Sequence, residues 1–249
     1  MKIITILCVF FTLFNNFLNN FNYMKNLQEI YSIEAYTYNP NILNKISIYG
    51  TKLSNSPFIQ NIEIRVFDEN NGLLYSFSPK INYGYDPTIL AADFVGNNLS
   101  QIFYGASSGG SGGYGFYYVF KINENNEEIL FDFEEFSEQN QYSGKFLDNY
   151  RAEITTNSTT YLLDVSNMDE FYKNEIYNSD GTVKNPQIDI GFVNTVFPVF
   201  NSMQRNWFLQ VYQKATAIAQ VNVLGYVVNE LQFSDNNFST FLQFFAIFQ

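Results

Sequence analysis

The stretch QNIEIRVF (residues 60–67), followed by DENNG (68–72) and LLYSFS (73–78), sets the expected fold class of this chain. Apolar and polar side chains alternate along 60–67, which is the pattern of a β-strand with one buried face. The segment DENNG is rich in turn-forming residues, and it leads directly into a second apolar run. The stretch therefore predicts a β-hairpin.

Most of the remaining chain repeats this style of short strands separated by polar turns. Further strands are predicted over 44–50, 114–122, 151–156, 159–165, 207–213, 223–232 and 239–248. Beyond the N-terminal segment, helical periodicity is present only around 166–176. Many short strands at regular spacing predict an all-β sandwich, barrel or propeller. No linker divides the chain, so residues 25–249 are predicted to form a single β-rich domain.

The N-terminal segment carries an unbroken apolar run, IITILCVFFTLF (3–14), behind Lys2. A length of about 12 residues fits the apolar region of a signal peptide and is short for a membrane span of about 20. Residues 1–24 are therefore predicted to be a leader helix that acts as a signal peptide or an N-terminal anchor. The protein is then secreted or on the cell surface, and it meets a membrane only if this segment stays uncleaved. A buried N-terminal helix is the remaining alternative.

Charge and composition exclude several functions. The net charge of −11 disfavours binding to nucleic acid, and there is no basic stripe. The chain has no histidine, which removes the Ser-His-Asp triad, the histidine base and every histidine metal ligand. The single cysteine, Cys8, lies in the leader. We therefore expect a protein that is not an enzyme and that holds no cofactor.

Aromatic residues make up 19% of the chain, with 27 Phe and 19 Tyr. Codon bias in an AT-rich genome is one explanation, and aromatic platforms for sugars or peptides are another. Trp207, Phe208, Tyr212 and FLQFFAIF (241–248) concentrate these side chains. They serve either core and edge-strand packing or an exposed patch for a partner.

Acidic residues cluster between 127 and 138: Glu127, Glu128, Asp132, Glu134, Glu135 and Glu138. If ILFDFEEF (129–136) is a strand, Asp132 and Glu134 lie on one face about 7 Å apart. Such spacing is typical of a solvated face. It also fits the paired carboxylates of a carbohydrate-active hydrolase, which we keep as the alternative from another functional class.

Residues 92–122, ADFVGNNLSQIFYGASSGGSGGYGFYYVFKI, resemble an FG-GAP/VCBS repeat of a small uncharacterised Bacillus/Clostridium-type group. Asp93 holds the first position of the loop, and SGGSGG (108–113) matches the turn of that group. The resemblance extends over most of residues 36–247. It implies a propeller-like array of about four antiparallel β units, since equivalent loops start near 36, 93 and 200.

Loops of this family bind calcium, and here their carboxylates are largely missing. At 93–101 only Asp93 is charged, while Val95, Asn97 and Gln101 occupy other ligand positions. Because calcium takes about 6–8 oxygen ligands, we predict structural turns without a metal. A weak residual site at Asp93 and Asn97 is the alternative.

The glycine-rich loop lacks the Lys and Ser/Thr that end a P-loop and leads into a strand, so a phosphate cradle is disfavoured. It predicts a hairpin turn in which glycines supply positive φ. The resemblance suggests that the turn also shapes a surface contact, and we predict surface-loop binding by Gly109, Gly110, Ser111, Gly112, Gly113 and Tyr114. The expected function is a non-enzymatic binding or scaffolding protein for an unknown protein or carbohydrate. A structural cell-envelope component is a further alternative.

Overall fold

A computed structural model describes residues 27–53, 56–218 and 222–247, and within these ranges it contains fifteen strands and two short helices. The predicted all-β class is confirmed. The predicted leader (1–24) lies outside the described residues.

The predicted hairpin is present, with its strands at Phe58–Phe67 (β3) and Leu73–Phe77 (β4). One carboxylate oxygen of Asp68 accepts hydrogen bonds from the backbone N–H groups of Asn70 (2.8 Å) and Gly72 (2.7 Å). Asn71 has a φ of 62°, a conformation that asparagine tolerates better than most residues. The Asp68 side chain and the positive φ of Asn71 thus fix the hairpin locally.

The N-terminal sheet holds eight antiparallel strands. Besides β3 and β4 they are β1 (Gln28–Ala35), β2 (Asn44–Lys52), β5 (Gly84–Ala92), β6 (Gln101–Ser107), β7 (Gly115–Ile122) and β8 (Glu127–Asp132). The strand order is β1-β2-β3-β5-β6-β7-β8, and β4 pairs only with β3.

The C-terminal sheet holds seven strands. They are β9 (Ser143–Leu147), β10 (Arg151–Thr155), β11 (Thr160–Asp164), β12 (Gln187–Asn201), β13 (Asn206–Thr216), β14 (Val223–Ser234) and β15 (Asn237–Ala246). The order is β11-β10-β9-β12-β13-β14-β15. The sheet curls so that its two edge strands come close together. The ring centre of Phe245 on β15 lies 6.1 Å from that of Tyr161 on β11. The result is nearly a closed barrel.

Helix α1 (Phe133–Gln139) replaces the second half of the strand that the sequence predicts over 129–136. The carboxylate of Asp132 accepts a hydrogen bond from the backbone N–H of Glu134 (2.9 Å), which makes it the helix N-cap. Glu134 and Glu135 then occupy the first turn, where negative charge is favourable. Helix α2 (Glu170–Ile176) lies within the segment where helical periodicity was noted.

Two apolar cores hold the sheets. The larger is built mainly from the N-terminal sheet, and it also includes Val193, Val196, Leu209, Val211 and Leu231 of the C-terminal sheet. The smaller core fills the curl of the C-terminal sheet around Ile154, Ile188 and Val227. Because the larger core draws on both sheets, the two sheets are packed as one body.

The sheet topology leaves the predicted propeller-like array unconfirmed. Hydrogen bonding collects the described strands into two sheets of eight and seven strands, where the spacing of the loops predicted about four units. The strand positions themselves are confirmed for every segment named above except 129–136.

Candidate functional site

The glycine-rich loop lies between β6 and β7 and forms the predicted hairpin turn. Gly109 and Gly113 have φ values of 78° and 68°, so glycines supply positive φ here as predicted. The backbone N–H of Gly113 donates to the carbonyl of Gly110 (3.1 Å), and that of Ser108 donates to the carbonyl of Tyr114 (2.9 Å). The loop is therefore a defined turn.

Contacts to the C-terminal sheet hold the far end of this loop. The side-chain amide of Asn194 donates to the carbonyls of Gly112 (3.2 Å) and Gly113 (2.7 Å). The ammonium of Lys214 donates to the carbonyl of Gly112 (2.6 Å) and lies 5.5 Å from the ring centre of Tyr114. The loop thus joins the two sheets, while Gly110 and Ser111 stay exposed at its tip.

Lys214 is buried at this contact between the loop and the C-terminal sheet, and buried lysines are uncommon in proteins. Burial lowers the pKa of its ammonium, and no nearby charge contributes to the shift. The carbonyl and the aromatic ring compensate for part of the lost solvation. This lysine is therefore a fixed part of the loop contact.

Next to this contact is a cleft of about 510 Å³, which we call the aromatic cleft. It is lined by Asn194, Thr195, Phe197, Tyr212, Val223, Gly225 and Tyr226. Three of its rings form a row across adjacent strands. The ring centre of Tyr212 lies 5.7 Å from that of Phe197 and 6.0 Å from that of Tyr226, both edge to face.

Polar groups flank the row of rings. The Tyr212 hydroxyl donates to the side-chain carbonyl of Gln210 (3.0 Å), and the Gln210 amide donates to Glu230 (2.7 Å). Burial raises the pKa of the Tyr212 phenol, and the charge of Glu230 raises it further. None of the described lining residues carries a carboxylate or a thiol. The arrangement is suited to stacking and hydrogen bonding.

The acidic cluster does not form the strand pair expected from the sequence. The expected alternation of Asp132 and Glu134 on one strand is wrong, since helix α1 starts between them. The Asp132 side chain is 1% exposed, and besides capping the helix it forms an ion pair with Lys80. Its oxygens are therefore occupied by structural contacts.

Asp93 also has a local structural role. Its two carboxylate oxygens accept hydrogen bonds from the backbone N–H groups of Gly96 (2.7 Å), Asn97 (3.1 Å) and Asn98 (2.8 Å). Asn97 in turn accepts from Leu99 (3.0 Å). Within the described residues no three His, Cys, Asp or Glu side chains are grouped to hold a metal ion. The interpretation of this loop as a structural turn, and a weak calcium site there, both stay predictions.

The aromatic concentration noted in the sequence divides between packing and surface. Phe208 is buried, and Trp207 packs against Phe94 with ring centres 6.2 Å apart. Tyr212 lies in the cleft, and Phe241 is 51% exposed. Sequence reasoning missed Asn194, Phe197, Lys214 and Tyr226, because their roles depend on strand register, which the sequence does not reveal.

Comparison with known proteins finds two similarities. Residues 140–246 match the family model of the YybI C-terminal domain. The chain is 27% identical over 212 residues to the uncharacterised protein YybI of Bacillus subtilis (strain 168), covering 83% of this chain and 80% of that protein. No solved structure matches the chain significantly. The aromatic cleft lies inside the matched segment, and the glycine-rich loop lies outside it.

None of the helices in the described ranges is long and apolar enough to span a bilayer.

Proposed function

We propose that this protein is a non-enzymatic binding protein, exported or on the cell surface, that holds a partner in the aromatic cleft. The row of Phe197, Tyr212 and Tyr226 carries the proposal. Phe197 is 51% exposed, so its ring is available to a partner without unfolding of the sheet. Exposed aromatic residues in a cleft with a few polar neighbours are typical of binding sites.

The partner is a carbohydrate or a protein segment. Both present apolar faces that stack on rings together with groups that exchange hydrogen bonds with amides and hydroxyls. Asn194, Thr195 and Gln210 offer such groups around the rings. The net charge of −11 argues against nucleic acid. The glycine-rich loop, from Gly109 to Tyr114, borders the cleft through Asn194 and would shape one wall of it.

The hydrolase alternative has less support than binding. It needs two carboxylates that face each other across a cleft. Asp132 is buried in a cap and an ion pair, and Glu135 and Glu138 are exposed on a short helix. A structural envelope component has one observation in its favour. Strand β15 is a sheet edge without a charged residue, and it exposes Phe241 and Leu242.

The relationship to FG-GAP/VCBS repeats with degenerate calcium loops stays part of the proposal, and so does the propeller-like array. The two-sheet topology gives the array no support. Export rests on the apolar run 3–14 alone. Fractionation of the producing cell, with mass spectrometry of the mature N-terminus, tests it. A mature chain in the cytosolic fraction that starts at Met1 would contradict export.

The binding proposal is tested on arrays of immobilised glycans and peptides. We expect the native protein to bind a subset of the array, and Tyr212→Ala to lose about tenfold or more in affinity for that subset, as for other central aromatic residues in binding sites. Phe171→Ala is the control, because Phe171 is an exposed aromatic residue on helix α2 outside the cleft. Equal binding by Tyr212→Ala and the native protein would refute the cleft as the site.

A further inference from the structure

A second polar region, separate from the aromatic cleft, is centred on Gln243 of β15. Its side-chain carbonyl accepts hydrogen bonds from the hydroxyls of Thr156 (2.5 Å) and Ser158 (2.8 Å). Its amide donates to the hydroxyl of Tyr142 (3.1 Å) and to the side-chain carbonyl of Asn229 (2.7 Å). Five uncharged side chains thus form one hydrogen-bonded network, which we call the amide network.

Two atoms at the buried end of the network have no hydrogen-bond partner among the described residues. They are the side-chain nitrogen of Asn229 and the side-chain oxygen of Gln213, and these residues are 0% and 1% exposed. Gln213 belongs to the same region, since its amide donates to the carbonyl of Asn140 (2.9 Å). Buried polar atoms without a partner are rare in folded proteins, and each one calls for an explanation.

The exposed end of the network opens into a pocket of about 300 Å³, which we call the amide pocket. Its polar walls are Asn140, Asn157, Ser158, Thr240 and Gln243, and Phe241 and Leu242 form an apolar side. Although the chain carries a net charge of −11, none of the described lining residues is charged. The pocket therefore offers hydrogen bonds and one ring, without attraction for an ion.

The ring at the edge of the pocket owes its position to a β-bulge. In the pairing of β14 with β15, Glu230 lies opposite Leu242 and Leu231 lies opposite Thr240, so Phe241 is left out of the register. Bulges turn a side chain away from its regular direction and are common beside binding sites. The ring of Phe241 contacts Phe208 with centres 5.7 Å apart and still leaves about half of its surface open.

We propose that the amide pocket binds a neutral saccharide. Sugar hydroxyls both donate and accept hydrogen bonds, and so do the amides and hydroxyls that line the pocket. The apolar C–H face of a sugar ring stacks on an aromatic side chain, and Phe241 provides one beside the polar wall. An uncharged lining provides no opposite charge for an acidic saccharide, so neutral saccharides are favoured. Strand register places Gln243 and Asn229 on the face of the sheet opposite to Tyr212, and the amide pocket shares no lining residue with the aromatic cleft.

Calorimetric titration of the full chain with maltohexaose, cellohexaose and hexa-N-acetylchitohexaose tests the proposal, with hexagalacturonate as a charged comparison. We expect saturable binding of at least one neutral probe and weaker or no binding of the charged one. The side-chain amide NMR signals of Asn157 and Gln243 should shift as the neutral probe saturates the protein. Absence of saturable binding for all three neutral probes would overturn the proposal.

Variants locate the site. Phe241→Ala should weaken binding of the neutral probe by roughly tenfold or more. Asn157→Ala should weaken it as well, and both residues are exposed, so neither change should prevent folding. Phe171→Ala, at an exposed aromatic residue on helix α2, is the matched control and should keep the affinity for the neutral probe. Tyr212→Ala distinguishes this pocket from the aromatic cleft. Unchanged affinity in Phe241→Ala, or loss in Tyr212→Ala alone, would overturn the assignment to the amide pocket and would move the binding to the aromatic cleft.

Discussion

Tyr104 and Tyr118 show how a hydrogen bond to the hydroxyl determines the effect of a buried tyrosine on stability. They lie side by side in the larger core, with ring centres 6.2 Å apart, and both are fully buried. The Tyr118 hydroxyl accepts a hydrogen bond from the backbone N–H of Ile81 (3.3 Å), whereas the Tyr104 hydroxyl has no partner among the described residues. Burial raises the pKa of both phenols. Their hydroxyls should therefore contribute to stability with opposite sign.

We predict that Tyr104→Phe leaves the free energy of unfolding unchanged or raises it by up to about 1 kcal/mol, because it removes a buried hydroxyl that has no partner. Tyr118→Phe should lower it by about 1 kcal/mol, because the N–H of Ile81 then loses its acceptor. Urea unfolding followed by circular dichroism measures both values. A loss in Tyr104→Phe as large as that in Tyr118→Phe would show that the Tyr104 hydroxyl is hydrogen-bonded.

The next prediction concerns one structural element, the hairpin between β6 and β7. Gly109 has a φ of 78°, and a Cβ there would overlap the ring of Tyr85. Gly110, its neighbour, has no positive φ, and the nearest atom to a Cβ would be 3.9 Å away. We predict that Gly109→Ala lowers the free energy of unfolding by about 1–3 kcal/mol, through strain and overlap together.

Gly110→Ala is the matched control and should change the free energy of unfolding by less than about 0.5 kcal/mol. Thermal unfolding of the two variants under one set of conditions makes the comparison. Limited proteolysis adds a local measurement, since the loop from Ser108 to Tyr114 should be cleaved faster in Gly109→Ala. Equal midpoints for the two variants would mean that the loop adopts another conformation than the one described.

The elements also show what the sequence determines locally. Alternation located β3, and the turn followed by an apolar run located β4; the Asp68 turn joins the two strands without help from distant residues. The segment 129–136 was predicted as a strand because Phe131, Asp132, Phe133 and Glu134 alternate, although Asp132 followed by Glu134 and Glu135 is a helix start. The local capping signal was present, and the strand pattern around it concealed it.

At the scale of the whole molecule, the missing information is long-range pairing. The contact of Lys214 with Gly112 joins residues that are 102 positions apart, and that of Asn194 with Gly113 joins residues 81 apart. No local sequence pattern predicts contacts between residues so far apart in the chain. The sequence therefore predicted the strands and the glycine-rich turn, but it predicted neither the two sheets nor the aromatic cleft that forms across β12, β13 and β14.

The absence of histidine and the many buried tyrosines predict an uneven response to pH. Burial raises the pKa of Tyr177 to about 12, and it also raises the pKa of the phenols of Tyr75 and Tyr117. In the unfolded chain these phenols lose their protons near pH 10. Their contribution to stability is thus complete below about pH 10, and it is lost as pH rises from about 10 towards the folded-state pKa values.

We therefore expect little change in the free energy of unfolding between about pH 6 and pH 8, where no side chain of ordinary pKa titrates, and a steep fall above about pH 10. Urea titrations across this range measure it, and tyrosinate absorbance should rise together with unfolding. Tyr177→Phe should make the fall less steep. Full ionisation of the tyrosines near pH 10 in a chain that remains folded would contradict the prediction.

The last prediction concerns the larger core, because this core joins the two sheets into one unit. Leu209 of β13 is fully buried in that core, and Trp207, the single tryptophan, contacts Phe94 of the N-terminal half. Leu209→Ala should lower the free energy of unfolding by about 2–5 kcal/mol, and both sheets should share the loss. Tryptophan fluorescence, which reports the contact between the halves, should then change at the same urea concentration as the far-ultraviolet circular dichroism of all strands. Leu162→Ala on β11, where the leucine is exposed, should leave both curves in place. Separate transitions for the two signals would mean that the C-terminal sheet folds independently, and the shared core would then be a contact between two domains.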